Sequence, residues 1–154
     1  MSWANFGWWL VYGFAAIAFQ AAFPGLDFLF PGFILLLQER RLFQTLIVGT
    51  LFLLAQEGMG SMAFGGTLLW YGLAAIAFYA LCGLFQGGSF LFIFLLGSAL
   101  SAVHGVIFAS LATLQGIPWE AASLLDDCFF QALLTPCLWW AASSLRRGVI
   151  HEAR

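Results

Sequence analysis

The chain has 154 residues, of which 63% are hydrophobic and 8% charged, and its mean hydropathy is +0.98. In an average soluble domain about a quarter of the residues are charged, so this composition excludes an ordinary soluble globular protein. The formal net charge is −2, and the five basic residues form no run that could neutralise several phosphates. Nucleic acid is therefore not an expected partner, whereas membrane lipid is.

The N-terminal part of the chain predicts two membrane spans of unequal length. An apolar run over 6–23 approaches the roughly 20 residues that cross a bilayer, and Pro24 ends it. A second apolar run over 28–38 is about half as long. It is either a short tilted span or a re-entrant element buried by its neighbours. We favour the short span, because the arginine pair at 40–41 needs an aqueous face.

The centre of the chain predicts a transmembrane helical hairpin. Apolar runs over 42–55 and 62–85 are joined by a polar, glycine-rich break at 56–61. Because this break is too short to form a domain, the two runs are expected to pair as neighbouring helices.

Two further spans are predicted over 90–114 and 121–145. Gly116 and Pro118 lie between them, and these residues are typical of the end of one helix and the start of the next. The predicted fold class is therefore an all-α polytopic membrane bundle of about six helices, with a short second span. One transmembrane domain covers 1–147.

The arginines predict the orientation of the bundle. Pairs at 40–41 and 146–147 follow the second and sixth spans, so the positive-inside rule places both termini in the cytoplasm of a bacterial inner membrane. The turns at Asp27, Glu57 and Glu120 then face outward. The tail over 148–154 is expected to be a frayed cytoplasmic segment.

Small residues four positions apart predict two close-packing helix faces. One lies on the first span at Ala18 and Ala22, and the other lies on the fifth span at Gly97, Ser101 and Gly105. We expect both to pack within the chain. Docking of a separate subunit on Ala18 and Ala22 is the alternative.

His104 lies beside the second of these faces, at membrane depth, where a polar group is a candidate for function. The favoured interpretation is a buried histidine bonded to Ser101 or Ser98, and the alternative is a proton relay or ligand contact. No second histidine or carboxylate stands at ligand spacing on this span, so neither haem, metal nor another cofactor is expected.

The last span begins with polar residues that share one helix face, each four positions after the one before: Ser123, Asp127, Gln131 and Thr135. Asp126 lies beside this face. One interpretation is a solvated cluster favoured by the helix dipole. The other is an outward cavity floored by Asp127 and Gln131 and rimmed by Glu57, which could hold a ligand or contact a partner.

No catalytic signature is present. The sequence contains no phosphate loop, zinc signature or dinucleotide fingerprint, and the stretch 58–61 is not a nucleophile elbow. Pairing of a serine with His104 is a weak idea, because any helical bundle offers some serine and histidine. We therefore expect no enzymatic activity.

Three parts of the chain share features with one known family: the second span entered through 24–31, the break within 49–66, and the final span from 131–136 to 145–147. In these parts the chain resembles the MreD family of bacterial rod-shape-determining membrane proteins. The resemblance implies a non-catalytic scaffold or regulator of cell-wall elongation. It would bind an MreC-like protein and the peptidoglycan synthases.

Substrate-binding subunits of energy-coupling-factor vitamin transporters are the alternative, since they are also six-span bundles of similar size. Ala18 and Ala22 would then dock on the transporter's transmembrane subunit, which works with two ATPases. Glu57, Asp126 and Asp127 would surround a vitamin. A preformed cavity of about 300 Å³ or more would favour this alternative, because a scaffold can be packed shut.

Overall fold

The computed structural model describes residues 3–59, 65–83 and 88–152, with side chains over 5–59, 65–83 and 88–149. All regular structure in these residues is α-helical. The helices are α1 (Trp3–Ala22), α2 (Phe30–Gln38), α3 (Leu42–Met59), α4 (Gly66–Leu81), α5 (Phe90–Gln115) and α6 (Ala121–Glu152). The predicted all-helical bundle is confirmed.

Three helices are long and apolar enough to cross a membrane: α3, α5 and the part of α6 over 121–149. The apolar helix α4 is shorter, at 16 residues. Large apolar side chains cover the outside of the bundle, for example Leu42, Leu46 and Leu114. Because such a surface is stable only against lipid, the chain is a membrane protein.

Local sequence sets several helix ends. Ser89 caps α5, because its hydroxyl accepts the backbone N–H of Phe92 at 3.2 Å. Gly116 ends the same helix with a φ of +66°, a left-handed conformation that favours glycine. Pro31 lies in the first turn of α2, where its missing N–H leaves no helical bond unmade.

The short helix α2 is the centre of the bundle. All of its residues from Phe30 to Leu37 are buried, and it packs against α3, α4 and α6. Its nine residues span about 14 Å, well short of a bilayer core. Protein therefore surrounds this helix. It runs from the end of the bundle where Asp27 meets Gln131 to the opposite end where Glu39 meets Arg146, which is the course of the predicted short span.

Polar contacts show which helix ends lie together. Asn5 donates to Gln44 at 2.6 Å, and Gln20 donates to Gln56 at 2.8 Å, so α1 and α3 run in the same direction. Arg146 near the end of α6 donates to Asn5 at 2.5 Å. The start of α1 and the end of α6 therefore lie at the same end of the bundle.

The C-terminal helix is longer than predicted. It continues through Gly148 to Glu152, so the expected frayed tail is wrong for these residues. One glycine in a helix costs only about 1 kcal/mol, which is too little to end a long helix by itself. Residues 153–154 of the expected tail lie outside the described residues.

Candidate functional site

A buried aspartate connects α1 to α2. Asp27 is 6% exposed, and its Oδ1 accepts the backbone N–H groups of Leu29 and Phe30, both at 2.9 Å. The Tyr71 hydroxyl donates to the same carboxylate at 3.1 Å. These bonds satisfy the free N–H groups at the start of α2. This capping role draws the Asp27 side chain from the turn into the bundle, whereas the side of the membrane on which the turn lies stays a prediction.

Gln131 on α6 holds the backbone of Asp27. Its side-chain oxygen accepts the Asp27 N–H at 2.8 Å, and its side-chain N–H donates to the Asp27 carbonyl at 3.0 Å. Gln131 also contacts Thr135, and both side chains are buried. The connection between α1 and α2 has no helical partner for these groups, so the amide of Gln131 supplies both bonds.

The electrostatic state of Asp27 follows from its surroundings. Burial in the α1–α2 connection raises the pKa of its carboxyl to about 6, although the bonds from Phe30, Tyr71 and Leu29 act in the opposite direction. The indole N–H of Trp70 also lowers this pKa, although its geometry is not that of a hydrogen bond.

A cavity of about 530 Å³ lies between the end of α1, the α1–α2 connection and helices α3, α4, α5 and α6. Asp27 lies in its wall. Its described lining also includes the polar side chains Gln20, Gln56, Glu57, Thr67, His104, Asp127 and Gln131. The cavity that the polar face of α6 predicts is present, and it exceeds the roughly 300 Å³ of small ligand sites.

Glu57 lies at the rim of the cavity and is bonded to the start of α4. Its carboxylate accepts the backbone N–H of Gly65 at 3.0 Å and that of Thr67 at 3.1 Å. An acidic group at this position satisfies free N–H groups and is favoured by the helix dipole. The charge of Glu57 is therefore already engaged by the protein.

Asp127 is half-buried on α6 and makes no hydrogen bond within the described part of the chain. Its carboxylate lies against Gly25, where an added Cβ would be 2.9 Å from its oxygens. Gly25 has a φ of +96°, so both its conformation and this close approach require glycine. The neighbouring Asp126 is exposed and does not line the cavity.

His104 is half-buried in the cavity wall, with its ring 4.9 Å from that of Trp70. The predicted bond from Ser101 to His104 is wrong, because the buried Ser101 hydroxyl donates instead to the Cys128 carbonyl at 2.6 Å. Among the described residues His104 has no hydrogen-bond partner, so its ring nitrogens are available to a ligand.

The small residues of α5 lie where it packs against α6. A Cβ added to Gly97 would lie 3.0 Å from Thr135, and one added to Gly105 would lie 2.6 Å from Cys128 Sγ. The helices therefore approach too closely at these points for larger residues. Ala18 and Ala22 of α1 are exposed instead, so their predicted packing face within the chain is wrong.

Several residues of the site were not expected from the sequence. Trp70 and Tyr71 contribute from the middle of an apolar run, which gives no sign of a site. Gln20 and Gln56 do give a sign of a site in the sequence, because each is a polar residue in or beside an apolar run. In the structure Gln20 donates to Gln56. In the described residues no three His, Cys, Asp or Glu side chains come together as a metal site would require.

The chain was compared with protein-family models, with curated proteins and with solved structures, and nothing matched in any of the three comparisons.

Proposed function

We propose that the protein is a non-catalytic, multi-pass subunit of a bacterial cytoplasmic membrane that acts by binding other membrane proteins. The main observation is the surface of α1 that points away from the bundle. Val11 and Phe14 are more than 70% exposed there, and Ala18 and Ala22 are exposed beside them. Small residues allow a second helix to approach closely, and the large side chains provide packing area.

The distribution of arginine supports a cytoplasmic location for both termini. Arg40, Arg41 and Arg147 are exposed, and no lysine or arginine occurs over 42–145. Contacts of Arg146 with Asn5 bring the start of α1 to the same end. The positive-inside rule then directs this end to the cytoplasm and the cavity outward.

Cell-wall elongation is the first candidate for the assembly. The MreD-like resemblance includes three residues that make polar contacts between helices. They are Asp27 in the part over 24–31, and Gln131 and Arg146 in the final span. The resemblance thus includes part of the polar contacts that hold the bundle together, whereas Asn5, Glu39 and Gln44 lie outside it. Under this proposal the partners are an MreC-like protein and the peptidoglycan synthases.

A transporter is the second candidate, and the cavity favours it. The cavity has a volume of about 530 Å³ and polar groups from five helices and the α1–α2 connection. A substrate-binding subunit needs such a cavity, whereas a scaffold does not. The partners would then be the transmembrane subunit of an energy-coupling-factor transporter and its two ATPases, with Ala18 and Ala22 as the docking surface.

Gentle detergent extraction of a tagged copy from its native membrane, followed by mass spectrometry, tests both candidates. Recovery of an MreC-like protein with peptidoglycan synthases supports the first. Recovery of a transporter subunit with two ATPases supports the second. If neither group is enriched over an unrelated tagged membrane protein, both are wrong.

A matched pair of variants tests the role of α1. Ala18→Leu places a larger side chain on the proposed docking surface, whereas Ala102→Leu makes the same change at an exposed position of α5. We expect Ala18→Leu to lower partner recovery several-fold, because closely packed helices tolerate no added bulk. Equal recovery with both variants would contradict docking through α1.

A further inference from the structure

The cavity end of the bundle carries negative charge without a basic residue to balance it. Asp27, Glu57 and Asp127 line the cavity, and lysine and arginine are absent from 1–39 and 42–145. A cleft with charges of one sign and low-dielectric walls concentrates ions of the opposite sign. The cavity should therefore attract cations and repel anions.

The three carboxylates differ in how far the protein already uses them. Those of Asp27 and Glu57 accept backbone N–H groups at helix starts. The carboxylate of Asp127 accepts no hydrogen bond within the described residues, although it is half-buried. A charge in such a place is less screened by salt than a surface charge. Asp127 is therefore the group best placed to bind a cationic ligand.

Two uncharged groups of the lining also lack partners in the described part of the chain. Trp70 is 2% exposed, and its indole N–H makes no hydrogen bond of good geometry, although it acts on the Asp27 carboxyl group. The side-chain oxygen of Gln20 is buried without a donor. A buried polar group left unpaired destabilises the protein, because it has lost its hydrogen bond to water. A ligand that offers an acceptor to Trp70 and a donor to Gln20 would remove these costs.

We propose that this cavity binds a small organic cation, namely a protonated amine that also carries a hydroxyl or carbonyl oxygen. The ammonium group binds Asp127, and the oxygen accepts from Trp70. A bare metal ion fits less well, because the described residues do not bring together three metal-ligating side chains. The inference goes beyond partner binding through α1, and under the transporter alternative it names the class of ligand.

The test uses the full chain in lipid nanodiscs and three compounds of nearly equal shape. These are tyramine, which is a cation, tyrosol, which is neutral, and 4-hydroxyphenylacetate, which is an anion. Isothermal titration calorimetry gives the affinities. We expect tyramine to bind at least about tenfold more tightly than tyrosol, because a hydrogen bond to a charged group contributes roughly 1.5–3 kcal/mol, and the anion not to bind.

Two neighbouring carboxylates provide a matched control. Asp127→Asn should weaken tyramine binding about 10- to 100-fold, whereas Asp126→Asn, which removes the same charge outside the cavity, should leave it nearly unchanged. Trp70→Phe keeps an aromatic ring but removes the N–H. It should weaken tyramine and tyrosol by the same factor.

The proposal is wrong if tyramine does not bind, if the three compounds bind equally, or if Asp126→Asn and Asp127→Asn have equal effects. The comparison of compounds on the unaltered chain needs no variant to fold. Tight binding of tyrosol alone would show a cavity that holds ligands of another class. Partner recovery from native membranes is measured separately, so failure of one proposal can be told from failure of the other.

Discussion

At one end of the bundle a buried arginine is paired with carboxylate and amide groups, whereas at the other end no arginine of the described residues pairs with a carboxylate. Arg146 donates to Glu39 and lies 4.8 Å from the ring of Trp8 and 4.6 Å from that of Trp9. Its other partner is Asn5. We call the residues Asn5, Glu39, Gln44 and Arg146 the arginine cluster.

The arginine cluster joins four parts of the chain. Gln44 accepts from Asn5 and donates to Glu39, both at 2.6 Å, so its amide connects α1, the end of α2 and α3. Arg146 adds α6. Because positive and negative charge are matched inside the cluster, this end can close without a ligand.

The cavity end has no such match. Asp27 and Glu57 are stabilised by backbone N–H groups, which are partial charges only, and Asp127 remains unpaired among the described residues. The two ends therefore differ in how charge is matched. One end holds the helices together by charge pairing, although Arg146 Nη1 and the Trp9 indole N–H have no hydrogen-bond partner among the described residues. The other end keeps the Asp127 carboxylate, which a ligand can use.

The largest expected effect comes from breaking the arginine cluster. Arg146→Met should lower the free energy of unfolding by about 3–5 kcal/mol, because it leaves Glu39 in a largely buried site without its cation. Reversible unfolding in mixed micelles measures this. Arg147→Met is the control, since Arg147 is exposed and should cost less than about 1 kcal/mol. Equal losses in the two variants would contradict the role of Arg146 in joining the helices.

The next effect lies at the cavity end. Gln131→Leu should cost about 2–4 kcal/mol, because both the N–H and the carbonyl of Asp27 lose their partner in a buried site. The same unfolding measurement compares it with Gln115→Leu, which changes an exposed glutamine at the end of α5. A loss below about 1 kcal/mol would show that water or a rearranged connection replaces these bonds.

A smaller effect tests the close contact between α5 and α6. Gly105→Ala should cost about 1–3 kcal/mol, because the new methyl group would lie 2.6 Å from Cys128 Sγ. Adding Cys128→Ala should recover most of this loss. Gly72→Ala, where the added carbon meets nothing within 4 Å, should instead stabilise α4 by up to about 1 kcal/mol. Absence of recovery in the double variant would place the strain elsewhere.

The smallest effect is expected at His104. His104→Phe keeps a ring beside Trp70 and removes no hydrogen bond within the described residues, so it should change the free energy of unfolding by less than about 1 kcal/mol. Ser101→Ala should cost about 1 kcal/mol, because it removes the bond to Cys128. A larger loss for His104→Phe would mean that the imidazole has a structural partner.

Local chemistry made much of the fold predictable. The apolar run over 90–114 became α5 over Phe90–Gln115, because Ser89 and Gly116 act on the helix ends beside them. The same holds for the start of α6 after Pro118. The polar face of α6 followed from spacing alone, and it placed Asp127 and Gln131 on the cavity as expected.

The outcome at Asp27 was not predictable in this way. Its position after Pro24 and Gly25 indicates a turn, and turns normally lie in water. Burial depends on Tyr71 and Gln131, which are 44 and 104 residues away along the chain. Contacts at such separations leave no periodic signal in a single sequence.

The sequence by itself determined that the chain is a helical membrane protein, because apolar content, breaker residues and arginine positions act locally or through composition. Only the tertiary structure decided that the other helices enclose α2 and that α1 leaves Ala18 and Ala22 exposed. It also decided that Glu39 pairs with Arg146 inside the bundle and does not face water. The physical reason is that burial and charge pairing depend on which helices become neighbours, and helix period fixes only the face each residue occupies.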